Sequence, residues 1–359
     1  MTRTVSRSVL ICASLSAVLA ATDAALRAET YQFAPTAFYQ TFSAAHPVAL
    51  RVKSGDTVTT TTLEDEPGAG SESAGGAGPL TGPFYIEGAE PGDLLVVTLL
   101  TLEPSSVTGR SASVMAPGAV PAGSLSRPRR GDTGVVTWAI DKRRGVVRLD
   151  LQALMPNVNW RSRFSDPVLE LPLQPALGAM GVAPAGDTIG SPASGPFGGL
   201  MASKGIAPGA RVMLPVLQPG ALLFLGHGHA RQGDAAAAGD GIETAMDVRF
   251  SVEVVKKKEW PHSSVARPST VVGEFTQGWP RIETDTELMT VGTAASLAEA
   301  LQHATLELHH WLDDDFGMSE KTVNIFLGQA IEYEIANAIG PQVTVVARVR
   351  KAFMPSAAR

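Results

Sequence analysis

From Tyr31 to about Lys258 the apolar positions come in short runs separated by turn residues. Val48–Val52, Val58–Leu63, Phe84–Ile86, Leu94–Leu102, Val135–Ile140, Val146–Leu151, Val212–Val216, Leu222–Leu225 and Met246–Val255 are rich in Val, Leu, Ile and Thr. Most are bounded by Gly, Pro or Asp, which predicts β-strands. Three of the boundaries share one device: Glu90-Pro91-Gly92-Asp93, Ala207-Pro208-Gly209-Ala210 and Gln218-Pro219-Gly220-Ala221. Pro sets φ for the second residue of a type II turn and Gly accepts the positive φ of the third, so each predicts a turn leading into a strand. Glu66–Pro79 and Pro104–Asp132 lack any such pattern and predict long surface loops.

The period changes late in the chain. Leu297, Leu301, Leu308 and Leu312, with Ala304, fall on one helical face. Ser319 is a candidate N-cap for a second helix, with an apolar face of Val323, Phe326, Leu327, Ala330, Ile331 and Ile335 and a stop at Gly340-Pro341. Val343–Val349 returns as a strand. The expected fold class is α+β: a β-rich, sandwich-like core with a late helical pair packed on it.

Composition narrows the function classes. The 359 residues include 36 Gly and 25 Pro, which fits many turns and few long helices. The formal charge of −6 argues against a nucleic-acid surface. The short basic runs Arg127, Arg129, Arg130 and Lys256, Lys257, Lys258 are expected as a solvated loop and an exposed turn. Near the start, Arg3 and Arg7 precede an apolar stretch from Val9 to Ala21 and then small residues. That stretch is short of the roughly 20 residues that span a bilayer, so residues 1–28 are expected to be a signal peptide, cut between 20 and 28. A single domain over 29–359 follows, in the periplasm or secreted, with no membrane association once the signal is removed. The one cysteine, Cys12, lies inside the signal. The mature chain therefore has no disulfide, thiolate metal site or cysteine nucleophile.

The densest polar cluster follows Leu222–Leu225. It reads Gly226-His227-Gly228-His229-Ala230-Arg231-Gln232-Gly233-Asp234, with Asp240 and Glu243 shortly after. Histidines at i and i+2 share one side of an extended segment. Two imidazoles and the Asp234 carboxylate make a three-ligand set that leaves a position for water, and nitrogen ligands favour a zinc-like divalent ion over Ca²⁺ or Mg²⁺. Glu87, between an aromatic strand and Gly88, is a second candidate, either held in a pocket or exposed on a turn. Ser71 and Ser73 sit among glycines and predict a flexible loop. His303, His309 and His310, near Asp313, Asp314 and Asp315, predict a solvated helix face.

Several blocks of the chain, in order, resemble the acetamidase/formamidase family and its secreted branch. They are Leu80-Thr81-Gly82-Pro83-Phe84-Tyr85-Ile86-Glu87-Gly88-Ala89-Glu90-Pro91-Gly92-Asp93, Gly178-Ala179-Met180-Gly181-Val182-Ala183-Pro184, and Gly195-Pro196-Phe197-Gly198-Gly199. Pro219-Gly220-Ala221-Leu222, Gly226 to Glu243, Trp279-Pro280-Arg281-Ile282-Glu283 and Gly328-Gln329-Ala330-Ile331-Glu332-Tyr333-Glu334 continue the match. The resemblance implies metal-assisted hydrolysis of short amides to carboxylate and ammonia, and a homo-oligomer. It also implies Glu87 as a catalytic carboxylate and Gln232 and Glu243 as substrate-binding residues. Against the family pattern, His227 stands in place of an Asp and Ala236 in place of a Glu. Phe197, Leu200 and Ala202 replace a His, an Asn and an Asp. Two alternatives therefore stay open: an amide hydrolase in which His227 takes over as ligand, and a catalytically degenerate relative that binds a small polar ligand or a protein partner.

Overall fold

The computed structural model describes residues 28–64, 78–116, 119–121, 123–125, 134–239, 241–257, 278–338 and 342–355. Residues 1–27 of the expected signal peptide, Ser71, Ser73, the Arg127–Arg130 run, Lys258, Asp240 and Gly340-Pro341 lie outside them.

Two sheets face each other. The larger has nine strands in the order Thr30–Gln32, Thr57–Thr61, Met246–Val255, Leu94–Pro104, Arg211–Pro215, Arg281–Glu283, Glu287–Ala294, Val343–Arg350, Glu332–Asn337. The smaller has six, in the order Ser194–Gly195, Gly198–Leu200, Ala176–Val182, Leu223–His229, Leu80–Ile86, Leu50–Val52. Leu94–Pro104 shows how one strand serves two layers. Its side chains alternate faces. Leu95, Val97 and Leu99 enter the core between the sheets with Phe84, Met180 and Phe250. Leu94 and Val96 turn the other way, towards Leu308, Trp311 and Val323 of the helices. The result is helices on a nine-stranded sheet on a six-stranded sheet, the α+β arrangement expected. A further four-stranded sheet, ordered Val168–Pro172, Val146–Asp150, Val135–Asp141, Thr108–Ala112, closes a small core of Trp138, Val147, Leu149, Ala230 and Ile242.

The turn chemistry holds at all three Pro-Gly sites. Gly92, Gly209 and Gly220 have φ of +95°, +86° and +77°. Asp93, Ala210 and Ala221 each donate a backbone N–H to the carbonyl three residues earlier, at 3.0, 3.0 and 2.9 Å. Ser319 caps the second late helix, Glu320–Ala330, accepting the Thr322 N–H at 3.3 Å.

Three expectations need correction. The second helix stops at Ala330 and Ile335 lies on the strand Glu332–Asn337, which pairs with Val343–Arg350. Ile331 and Ile335 are four apart, a spacing that fits a helix face and one face of a strand alike, so periodicity alone could not separate them. Within the expected loop Pro104–Asp132, Thr108–Ala112 forms a strand on Val135–Asp141. Lys256 is not a solvated turn residue alone: its ammonium bonds the buried Asp93 carboxylate and donates to the Gly88 carbonyl at 2.9 Å. Among the described residues no helix is long and apolar enough to cross a membrane.

Candidate functional site

The polar cluster begins inside a strand. Leu223–His229 pairs with Ala176–Val182 as far as His229 and with Leu80–Ile86 only as far as Gly226; beyond that His229 bridges Glu243 instead. Gly226 and Gly228 are there because neighbours approach closely: a Cβ on Gly226 would lie 2.6 Å from the Pro79 carbonyl oxygen, and one on Gly228 2.6 Å from that of Thr244. The two histidines meet a third glycine. A Cβ on Gly178 would fall 2.7 Å from His229 Cε1 and 3.1 Å from His227 Cβ. His227 has φ +51°, a left-handed conformation that is uncommon outside glycine. The extended geometry expected for the pair is thus broken at His227, yet both residues pack against Gly178.

Both histidines are fully buried. His229 Nε2 lies 2.6 Å from Glu243 Oε1, and Glu243 is itself 1 % exposed. A buried carboxylate bonded to an imidazole accepts a proton-bearing nitrogen. This assigns the hydrogen to Nε2 and leaves Nδ1 as the basic nitrogen. Glu243 is aligned by its backbone, which exchanges hydrogen bonds of 2.7 and 2.8 Å with Arg110. The strand that sequence patterning missed, Thr108–Ala112, is therefore what positions this carboxylate. The His227 pKa is pushed down to about 3, first by burial and then by the neighbouring His229. It is neutral at any physiological pH.

Gln232 is 5 % exposed and donates Nε2 to the carbonyls of Ala202 at 3.1 Å and Ala336 at 3.4 Å. Asp234 does not join the histidines. Its side chain is 57 % exposed and paired with the Lys204 ammonium, because the chain turns outward at Gly233 into the short helix Asp234–Ala236. Among the described residues no three His, Asp or Glu side chains are arranged to hold a metal ion. The expected His227, His229, Asp234 set is therefore not assembled. Two imidazoles are present, one already bonded to a carboxylate, and the donors do not complete a zinc-like site.

Glu87 is also displaced from its expected role. It is exposed, just past the end of Leu80–Ile86. Leu80 pairs with Gly226 at the other end of that strand, and His229 lies three residues further on. Ten strand positions, about 30 Å at the usual rise, separate Glu87 from His229. A cleft of about 250 Å³, lined in part by Leu94, Val96, Met213, Trp311 and Phe316, opens on the helix side of the nine-stranded sheet, away from the histidines. Of the helix histidines, His303 stacks on Trp279 at 4.6 Å and Nδ1 lies 3.1 Å from the Thr293 carbonyl oxygen. It is a packing residue and not part of a solvated face.

Residues 192–355 match the model of the Acetamidase/Formamidase family. No curated protein matches the chain. The fold is similar to that of a predicted acetamidase/formamidase from Thermoanaerobacter tengcongensis, at 24 % identity over 90 % of this chain and 96 % of that one, with a TM-score of 0.69. It is also similar to an acetamidase from Bacillus halodurans (26 % identity, 90 % and 98 % covered, TM-score 0.69). An acetamidase from Yersinia enterocolitica gives 25 % identity, 92 % and 94 % covered, and a TM-score of 0.72.

Proposed function

We propose that the chain hydrolyses the C–N bond of short primary amides to carboxylate and ammonia, a reading supported by the match of residues 192–355 to the model of the Acetamidase/Formamidase family. The observation that carries this is the enclosed His229–Glu243 pair at 2.6 Å. Amide hydrolysis needs a base to take a proton from water and an acid to return it to the departing nitrogen. An imidazole whose Nε2–H is held by a carboxylate does both through Nδ1, and the carboxylate stabilises the imidazolium that forms between the two steps. Water adds to the carbonyl carbon while its proton passes to His229. The C–N bond then breaks as that proton moves to nitrogen, releasing ammonia. His227, neutral at working pH, offers an uncharged imidazole beside the pair and does not compete for the proton.

A second alternative, a degenerate relative that binds a small polar ligand or a protein partner, is favoured by a separate observation. Ala202 and Ala236 keep left-handed φ of +50° and +49° without any functional group. Ammonia release from formamide and acetamide, with and without chelator, decides between them. Release that falls at least a hundredfold in His229→Ala supports hydrolysis, and no release from the unaltered protein refutes it. Loss on chelation would give a zinc-like ion a role that the described donors do not complete. The setting is proposed to be periplasmic or extracellular, and the protein an oligomer. N-terminal sequencing from the native host and light scattering test these; a mature chain starting at Met1 or a monomeric mass would overturn them.

A further inference from the structure

One end of the four-stranded sheet is apolar and the other is charged. The pairings Ala112↔Val135, Asp141↔Val146 and Asp150↔Val168 fix which strand ends lie together. Where Asp141 meets Val146, the hairpin turn presents exposed Lys142, Arg143 and Arg144. At the opposite end, beyond Ala112 and between Asp150 and Val168, five apolar side chains face water. Val114, Met115, Leu154, Met155 and Phe164 are each 37–50 % exposed. Single exposed apolar residues are ordinary, but five gathered at one end of a small sheet call for a cover.

Three of the five belong to residues 151–167, the loop joining Val146–Asp150 to Val168–Pro172. Its neck is closed by the Leu151 N–H, which donates to the Pro167 carbonyl at 2.8 Å. The Asp150 carboxylate accepts the Gln152 and Ala153 N–H groups at 2.8 and 3.0 Å, and the Phe164 N–H donates to the Trp160 carbonyl at 2.8 Å. The loop thus orders its own backbone, yet its helical turns Leu151–Leu154 and Trp160–Ser162 contain no buried residue. Phe164 stacks on Trp160, with ring centroids 6.0 Å apart. Arg161 and Arg163 stand exposed between them in sequence, without a carboxylate partner among the described residues. Asp166 is the only acidic residue of the loop. A closed loop that holds apolar side chains out of the core is built to meet something else.

We infer that residues 151–167, with Val114 and Met115 at the same sheet end, dock on an anionic lipid surface. Area and charge both favour lipid over a protein. Five half-exposed side chains fall short of the roughly 800 Å² per partner that a standard protein interface buries. A bilayer needs no matching shape: aromatic and aliphatic groups enter the boundary between headgroups and acyl chains, while flanking cations stay among the phosphates. Phe164, Leu154 and Met155 supply the first, Arg161 and Arg163 the second. The chain as a whole carries −6, so an anionic surface repels its acidic faces and selects this cationic one. Docking sets aside the expectation that the mature chain makes no membrane contact. It also lays on the membrane the sheet whose strand Thr108–Ala112 aligns Glu243 through the backbone of Arg110.

Co-sedimentation of the mature protein, as its native host processes it, with phospholipid vesicles tests this. One set contains phosphatidylglycerol and phosphatidylcholine in equal parts, the other phosphatidylcholine alone. Binding is expected on the anionic vesicles, weakened by added salt and much weaker on the neutral ones. Phe164→Ser should lower partitioning about tenfold, the effect of withholding one aromatic side chain from an apolar phase. Arg161→Ser with Arg163→Ser should lower it by a similar factor and flatten the salt dependence, since each cation near an anionic surface adds about 1 kcal/mol. None of these side chains is buried, so the urea midpoint and any ammonia release should stay unchanged in both variants. No binding to anionic vesicles, or binding that neither variant weakens, would overturn the assignment. So would a protein that ignores vesicles but loses mass in light scattering on Phe164→Ser; the cover would then be a second copy of the chain.

Discussion

Two buried carboxylates in this fold have the same contact distance and opposite consequences. Glu243 accepts from His229 at 2.6 Å, and Glu307 accepts from Arg281 at 2.6 Å, with all four side chains at most 3 % exposed. Arg281 is permanently charged, lies 5.2 Å from the Trp311 ring centroid and also reaches Asp315 at 3.3 Å. That cluster joins the strand Arg281–Glu283 to the helix Leu297–Asp314, and no proton can leave it. His229 is the titratable counterpart. Its pair with Glu243 sits between strands, against a glycine, and its charge can change during a reaction. Geometry alone does not distinguish a clamp from a proton relay; the chemistry of the cationic partner does.

The largest expected effect breaks the relay. His229→Ala should lower ammonia release by about 10²–10⁴-fold, the usual contribution of a general base, and should lower the urea midpoint too, because Glu243 is left buried without its imidazole. The clamp should show the loss of stability alone. Arg281→Met strands Glu307 in the core and should cost about 3–5 kcal/mol of stability, read from denaturant curves. Replacing Glu307 by Leu in the same protein should recover most of it, because an apolar pair needs no desolvation. No comparable recovery of activity is expected when Glu243→Gln is added to His229→Ala.

Acid sharpens the contrast. His227 is buried neutral, with its pKa lowered to about 3 from an ordinary 6.5. Between those values the unfolded chain binds a proton that the folded chain refuses, so stability is complete above about pH 6.5 and falls as pH drops towards 3. The slope is at most about 1.4 kcal/mol per pH unit for this one group. Denaturation midpoints from pH 7 to pH 4 measure it. In His227→Asn, a residue that tolerates left-handed backbone, the slope should diminish; an unchanged slope would assign the acid sensitivity elsewhere. The smallest effect concerns the helical layer. Ser319→Ala removes an N-cap bond of 3.3 Å and should cost about 1 kcal/mol without altering ammonia release.

Much of this architecture is legible in residue order, and the exceptions have physical causes. The apolar run Leu94–Leu102 marks a strand buried between two layers, the alternation in Met246–Val255 marks one with a core face and an outer face, and the Pro-Gly pairs mark turns. Ala176–Val182 escaped because it is buried at every position and rich in glycine, leaving no alternation to detect. Yet this strand supplies Gly178. In the site, His227 and His229 were expected to share one side of an extended segment as metal ligands; both are buried against Gly178, and the left-handed backbone at His227 breaks that segment. Asp234 was misplaced because an outward turn after Gly233 cannot be read from ligand-like spacing. Glu87 was misplaced because a family block states order along the chain and not direction along a strand. Arg110 carried no signal, since its contribution to Glu243 is made by backbone atoms.

The central claim is that the His229–Glu243 pair moves a proton during amide cleavage, and Glu243→Gln tests it most directly. A glutamine fits the same space and can still accept from Nε2–H, but it cannot stabilise a charged imidazolium. Ammonia release from acetamide, followed against pH in the unaltered and Glu243→Gln proteins, is the measurement. The account predicts a loss of at least about a hundredfold in kcat with the fold intact. Release at the unaltered rate and with the unaltered pH profile would show that the pair, like Arg281 and Glu307, only holds the structure together.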